Sequence, residues 1–344
     1  MRIRLQDVAA RAGVSEATVS RVMNGKPEVA STTRRDVLAV LAEMGYVPAG
    51  LRGETRAGLV GLMLPELDNP VFPAYAQALE SRLLARGYVS VLCCAGRSGA
   101  SEDDYVPTLL DHGAVGLVVV SGRHADLDGD HDIYRSLLRR RFPLVFVNGS
   151  VDGLDIASVS TDEGVAAGVA VDHLVQLGHE RIGFLSGPTH YLPVVRRLTG
   201  FRVAMVLAGL DVEASEIVSS TFTVAGGRVG AQQLFAAGVT GIVAGSDVMA
   251  LGAIRAAREM GMDVPADVSV VGYDDTELMA YTDPPLTTVR QPVDEISEHA
   301  VELLLAQVEG KTIGPSTFEV RPDLVVRGST ARRRPPDPGD ADLQ

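Results

Sequence analysis

Leu5–Tyr46 reads LQDVAARAGVSEATVSRVMNGKPEVASTTRRDVLAVLAEMGY. Two short helical patterns flank a tight Ala-Gly-Val-Ser link, and a longer one follows Gly25-Lys26-Pro27. Val8, Ala9, Ala12, Val14, Val19, Val22 and Met23 recur at the spacing that closes a small core between the first two helices. That leaves Ala17, Arg21 and Asn24 on an outward face, at i, i+4 and i+7. Gly13 permits the sharp turn, and Ser15 is a good N-cap for the second helix. The third helix, about Ser31–Met44, sets Val37, Leu38, Leu41 and Met44 on one face to close the unit.

This is a helix-turn-helix pattern, whose second helix would lie in the major groove of DNA. The net charge of -13 speaks against a nucleic-acid binder, but its distribution reverses that. Residues 1–35 hold seven Arg or Lys against three acids, a local net of +4, so the acidic excess lies in the rest of the chain. Arg21 is the strongest base reader, because its fork matches guanine O6 and N7. Ser15, Thr18 and Ser20 suit phosphate contacts, which position without specifying. Glu16 either accepts from cytosine N4 or sits near the positive helix end. Ala17, Asn24, Thr33 and Tyr46 complete the expected DNA-facing set.

From Leu59 the pattern changes. Short apolar strands (LVGLML, VSVLCCA, GLVVVSG, PLVFVNG) alternate with amphipathic helices such as Phe72–Arg86 and His131–Arg141. The alternation recurs from RIGFLSGP through GIVAGSD to VSVVGYDD. The fold class is α/β, with a three-helix headpiece followed by two doubly wound subdomains of mostly parallel sheet. In such sheets ligands sit off the carboxyl ends of the strands. Those ends carry Asn69, Phe72, Ser121, Asn148, Arg197, Ser246, Asp247 and Asp274, with Tyr191 and Phe222 as aromatic platforms. Carboxylates, amides and Arg around an aromatic face suit a sugar, whose hydroxyls need bracketing and whose ring needs a flat partner. Asp247 has a second reading as the cap of a helix starting at Val248, Asn69 as a turn residue, and Arg197 as a surface ion pair.

The segment DVAARAGVSEATVSRVMNGKPEVASTTRRDVL, followed by GYVP, resembles the headpiece of the lactose-repressor (LacI/GalR) family. The likeness continues in LVGLMLPELDNPVF, HLVQLGHERIGFLSGP, RLTGF, GSDVMALGAIRAA, DVSVVGYDDTEL and DPPLTTVRQP, and so covers nearly the whole chain. It implies a ligand-responsive transcriptional regulator, most simply a homodimeric repressor of carbohydrate uptake or catabolism genes, bound to a near-palindromic operator. It implies a periplasmic-binding-protein-like body at 59–331 with a ligand cleft between discontinuous halves. The first half would take about 59–161 and 288–319, the second about 162–287 and 320–331, with crossings near Thr161, Thr288 and Pro322. Asn69 and Phe72 match the family's Asp-x-Asn-Pro-x-Phe segment, Arg197 its Arg-x-x-Gly-Phe, Asp247 its strand-end Ser-Asp and Asp274 its Gly-Tyr/Phe-Asp. The chain departs from the family after Pro48. The linker AGLRGETRAG, within the 1–58 unit, is shorter by about three residues and broken by Gly50, Gly53 and Gly58, which disfavour a hinge helix by roughly 1 kcal/mol each. It is either a minor-groove contact through Leu51, Arg52 and Arg56 or a plain flexible linker.

Other classes fare worse. There is no apolar run long enough for a bilayer and no signal-peptide core at the N-terminus, so a cytoplasmic location without membrane contact is expected. A sugar-binding receptor would need an export signal and no basic headpiece. No HExxH, paired CxxC or phosphate loop proposes an enzyme, a metal or a cofactor. Asp126, Asp128, Asp130 and Asp132 resemble the start of a calcium loop, but its sixth position is His131 and its twelfth Leu137. Cys93 and Cys94 are adjacent and read as reduced core residues. The Pro-rich segment 332–344 reads as disordered. A purine co-repressor or a partner protein remains the alternative to a sugar.

Overall fold

The computed structural model describes residues 5–23, 29, 33, 37, 40–41, 58–95, 99–211, 216–314 and 316–333. Asn24, Tyr46 and the linker at 49–57 lie outside this set, as does the tail from 334.

In the headpiece, α1 (Leu5–Ala12) and α2 (Glu16–Met23) flank the expected turn. Gly13 takes a φ of 64°, and a side chain there would meet nothing within 4 Å, so glycine is needed for its backbone freedom alone. The Ser15 hydroxyl accepts the Thr18 backbone N–H at 3.2 Å, satisfying one orphan donor of α2. Val8, Ala9, Val19 and Val22 are buried together with Val37 and Leu41, two of the helical residues described beyond α2.

The body begins with β1 (Gly58–Leu64), α3 (Val71–Ala85), β2 (Tyr88–Cys94), α4 (Glu102–Asp111), β3 (Ala114–Val120), α5 (Asp132–Arg139), β4 (Leu144–Val147) and β5 (Ala157–Thr161). The chain then enters a second run of α6 (Glu163–Gln176), β6 (Ile182–Ser186), α7 (Leu192–Leu207), β7 (Ile217–Ser219), α8 (Val224–Ala236), β8 (Gly241–Ala244), α9 (Asp247–Glu259), β9 (Ser269–Asp274) and β10 (Thr287–Arg290). It returns through α10 (Val293–Val308) and β11 (Thr317–Val320), and leaves again for β12 (Asp323–Val325).

Two six-stranded sheets result. The first has the order β11-β5-β4-β3-β1-β2, the second β12-β10-β9-β8-β6-β7. The strands read as near-continuous apolar runs because helices cover both faces; Leu144, Val145, Phe146 and Val147 of β4 are all buried. The first crossing joins β5 to β6, and the other two join β10 to β11 and β11 to β12, strands at the β11 end of the first order and the β12 end of the second. The second crossing falls after Arg290, later than the expected Thr288, because Thr288 is held in mid-strand between Gly272 of β9 and Val325 of β12. Helix α10 then locks to the first sheet, where the Gln307 amide both donates to and accepts from the Leu144 backbone, at 3.1 and 3.0 Å.

In the second half, α8 and α9 meet backbone to backbone. A Cβ on Gly227 would stand 2.2 Å from the Met249 carbonyl, and one on Gly252 2.2 Å from that of Val224. The end of the body is also fixed further than the sequence suggests: the Arg333 N–H bonds the Leu177 carbonyl at 2.8 Å and its guanidinium reaches Glu180 at 3.4 Å. Among the described residues no helix is long and apolar enough to cross a membrane.

Candidate functional site

The carboxyl ends of strands from both sheets line a cleft of about 840 Å³, within the range of roughly 300–1,000 Å³ that buries small ligands. Asn69, Phe72, Ser121, Asn148, Tyr191, Arg197, Phe222, Ser246 and Asp274 all line it. Three of these strand-end residues hold left-handed backbone: Ser121 at φ 46°, Asn148 at 58° and Asp274 at 126°. Such conformations cost about 1–3 kcal/mol each and concentrate at ligand sites.

Buried side chains tie the two halves together at the floor of the cleft. Asp274 accepts from Gln291 Nε2 at 2.7 Å and from Asn69 Nδ2 at 3.5 Å. Asn69 also accepts the Val71 N–H at 3.3 Å, so it serves both the turn and the network. Tyr75 donates to Gln291 Oε1 at 2.9 Å, and Asn148 Nδ2 lies 3.3 Å from the Tyr75 hydroxyl. Asn148 Oδ1 is buried without a hydrogen-bond partner among the described residues. An unsatisfied buried acceptor costs about 1–3 kcal/mol, and a ligand hydroxyl would remove that cost.

Arg197 belongs to a second group. It is buried, not at the surface as its ion-pair reading implied. Its Nε donates to Glu163 Oε2 at 2.6 Å and its Nη1 to the Gly245 carbonyl at 2.7 Å. Its guanidinium carbon lies 3.5 Å from the centre of the Tyr273 ring, and the Tyr273 hydroxyl returns to Glu163 Oε1 at 3.1 Å. Burial opposes the Arg197 charge, but Glu163, with Tyr273 and Asp274, more than offsets this and the pKa is raised.

Phe222 reaches the cleft because Gly187 leaves it room; a Cβ there would stand 2.1 Å from the Phe222 ring. The Ser-Gly-Pro turn thus shapes the aromatic wall. The loops that follow β3 and β6 touch. The Leu127 N–H donates to the His190 carbonyl at 2.8 Å, beside a single antiparallel bridge between Asp126 and Tyr191.

Asp247 does not line the cleft, contrary to the sequence expectation. Ser246 is the cap of α9, its hydroxyl accepting the Met249 N–H at 3.3 Å, and Asp247 is the first helical residue. That step turns its carboxylate into the second sheet's interior, where it accepts from Thr288 Oγ1 at 2.6 Å and the Thr276 N–H at 3.1 Å. Cys94 is a milder departure: Cys93 is buried, but its neighbour is half-exposed on the cleft wall. The sequence reading missed Glu102, Glu163, Tyr273 and Gln291, all of them cleft-lining. Among the described residues no His, Cys, Asp and Glu group could hold a metal ion.

Burial pushes the Asp247 carboxyl up to about 7, and burial together with repulsion from Asp247 raises Asp274. A carboxyl whose pKa rises on folding binds more protons in the native state between its unfolded value, near 4, and its folded one. Stability therefore falls as pH rises through that window. His124 acts oppositely: burial lowers it to about 3, so its contribution is full above its ordinary value near 6.5 and is lost as pH falls. Asp247→Asn is expected to flatten the decline in unfolding midpoint between pH 4.5 and 7, measured by urea titration against wild type. Parallel profiles would mean that Asp247 is ionised in the fold.

In the headpiece Ser15, Glu16, Ala17 and Arg21 are exposed, while Thr18, Ser20 and Thr33 are half-buried. The Ser15 and Thr18 hydroxyls lie 2.9 Å apart at the start of α2. Ala17 and Arg21 project away from the Val19 and Val22 core face, and Glu16, three residues before Val19, is exposed at its flank.

Residues 4–49 match bacterial regulatory proteins of the lacI family, and residues 171–330 match a periplasmic binding protein-like domain. The HTH-type transcriptional regulator reg1 of Streptomyces lividans is 48% identical over 96% of this chain and 97% of its own length. Among solved structures, the lac repressor dimer bound to operator and the anti-inducer ONPF superposes with a TM-score of 0.79 at 31% identity, covering 96% of this chain and all of that one. A transcriptional regulator CelR–cellobiose complex gives a TM-score of 0.73 at 31% identity, covering 95% of this chain and all of that one.

Proposed function

This chain belongs to the lacI family of DNA-binding transcriptional regulators, and we propose that it is a repressor whose hold on its operator is set by a neutral sugar in the cleft. The observation that carries the sugar reading is the cleft itself. It is about 840 Å³, lined by Phe72, Tyr191 and Phe222, with amides and carboxylates fixed in a buried network. The cellobiose bound in the CelR structure and the ONPF bound beside operator in the lac repressor structure support it.

Asn69, Asn148, Arg197 and Asp274 would bracket ring hydroxyls, Ser121 and Ser246 would add further partners, and the aromatic residues would take the ring face. Headpieces of a homodimer would read two half-sites through α2 in the cytoplasm, with Arg21 on a base edge and Ser15, Thr18, Ser20 and Thr33 on phosphates. The exposed Leu278 and Tyr281, 63% and 79% accessible, suit burial against a second copy. Sugar binding would alter DNA affinity only so far as it prefers one arrangement of the two halves.

A thermal-shift screen of mono- and oligosaccharides and purines, followed by gel shifts on the protein's own upstream region, tests the reading. A neutral sugar is expected to raise the melting temperature and to change operator affinity. Stabilisation by purines alone would transfer the cleft to a co-repressor, and stabilisation by none of the panel would sink the effector reading.

A further inference from the structure

We propose that Glu102 is an effector-specificity residue, accepting hydrogen bonds from hydroxyls of a neutral sugar and repelling phosphorylated ones. This rests on the reading of the cleft as the sugar site. Glu102 is the first residue of α4 and is only 4% exposed, yet it lines the cleft on the first-sheet side. Its position is fixed by two donors. The Arg123 backbone N–H reaches Oε1 at 2.8 Å, and the buried Tyr134 hydroxyl donates to Oε2. Tyr134 is itself oriented: its hydroxyl accepts the His124 N–H at 3.2 Å, and its ring meets Phe146 edge-on at 4.9 Å. Gly122 leaves room for the carboxylate, since a Cβ there would stand 2.5 Å from Oε1.

This arrangement is costly unless it has a use. Burying a carboxylate is unfavourable, and an apolar side chain would be no less stable at such a position. No cation neutralises it directly: the Arg123 guanidinium turns to Asp103 at 2.7 Å, and among the described residues no ion pair reaches Glu102. A carboxylate offers about four acceptor sites, and the two donors use two. Two acceptor sites therefore remain on a residue that lines the cleft, and hydroxyl donors are their natural complement.

The charge of the whole cleft points the same way. Its acids are Glu66, Asp68, Glu102, Asp126, Glu163 and Asp274; its cations are Arg123 and Arg197, each engaged by an acid. A phosphate entering here would find no uncommitted cation among these residues and would lie near a fixed negative charge. A neutral polyol would find acceptors.

The test uses the full-length protein and isothermal titration. Wild type is first titrated with glucose, cellobiose, lactose, maltose, ribose and glucose 6-phosphate. Glu102→Gln keeps the side chain's size and its acceptor for the Arg123 N–H. It is expected to weaken the best neutral sugar at least about tenfold and to narrow the gap to glucose 6-phosphate, with sugar-free operator affinity unchanged. If Glu102→Gln fails to fold, Glu102→Asp retains the charge but withdraws it by one methylene. It should bind the neutral sugar more weakly while still rejecting the phosphate. Wild-type affinity in either folded variant overturns the assignment of Glu102 and leaves the cleft reading intact. Wild-type protein that binds none of the neutral sugars overturns both.

Discussion

Arg197→Leu is expected to abolish the response to the effector and to destabilise the body by about 3–5 kcal/mol. The guanidinium is buried against Glu163, the Gly245 carbonyl and the face of Tyr273, so its loss removes three partners at once. The larger effect falls on what remains. Glu163 is 5% exposed and would keep only the Tyr273 hydroxyl, leaving a buried charge uncompensated. A double variant separates structure from binding. Replacing both Arg197 and Glu163 with leucine removes the pair together, which is often close to neutral for stability. Urea unfolding should therefore recover most of the loss in the double variant, while titration with the best sugar from the screen should show no recovery of binding. Wild-type sugar affinity in the double variant would make the pair a structural strut and nothing more.

Much of this arrangement is legible in the sequence because strands end in recognisable residues. Asn148 and Asp274 each close an apolar run, and a parallel sheet sends such ends to one side. The alternation of strands and helices likewise fixes two sheets. What the sequence conceals is direction within a turn. Ser246 and Asp247 are neighbours at one strand end, but one step of helix separates the cleft-lining cap from a carboxylate buried beneath Thr288. The missed residues hide behind ordinary local roles. Glu102 and Glu163 stand in the first turns of α4 and α6, where acids are favoured by the helix dipole whatever else they do. Gln291 lies within the quoted DPPLTTVRQP segment, but nothing local marks it as a cleft residue; the crossing after Arg290 brings it beneath Asp274. The glycines at 122 and 187 are the one available hint, since each clears space for a cleft side chain.

Arg21→Ala is expected to erase operator preference while leaving most non-specific DNA affinity in place. Val19 and Val22 are buried in the headpiece core, and Arg21 is exposed on the opposite side of α2, with Ala17 one turn before it. The N-terminal part of a recognition helix is the part that reaches base edges, and α2 begins at Glu16, so Arg21 stands in its second turn. A bidentate Arg–guanine contact discriminates by about 1–3 kcal/mol, and a dimer uses it twice, so specificity should fall by roughly 30-fold to 10⁴-fold. The irregular linker after Pro48 raises the stake. If no hinge helix contributes minor-groove contacts, α2 must supply more of the discrimination. Anisotropy titrations with operator and scrambled duplexes at three salt concentrations distinguish the roles. A base reader loses the difference between the two duplexes with the scrambled-duplex salt slope unchanged. A phosphate contact weakens both duplexes alike and lowers that slope by about one per headpiece. Equal weakening would therefore move Arg21 to the backbone and leave Glu16 and Ala17 as the base-facing residues of α2.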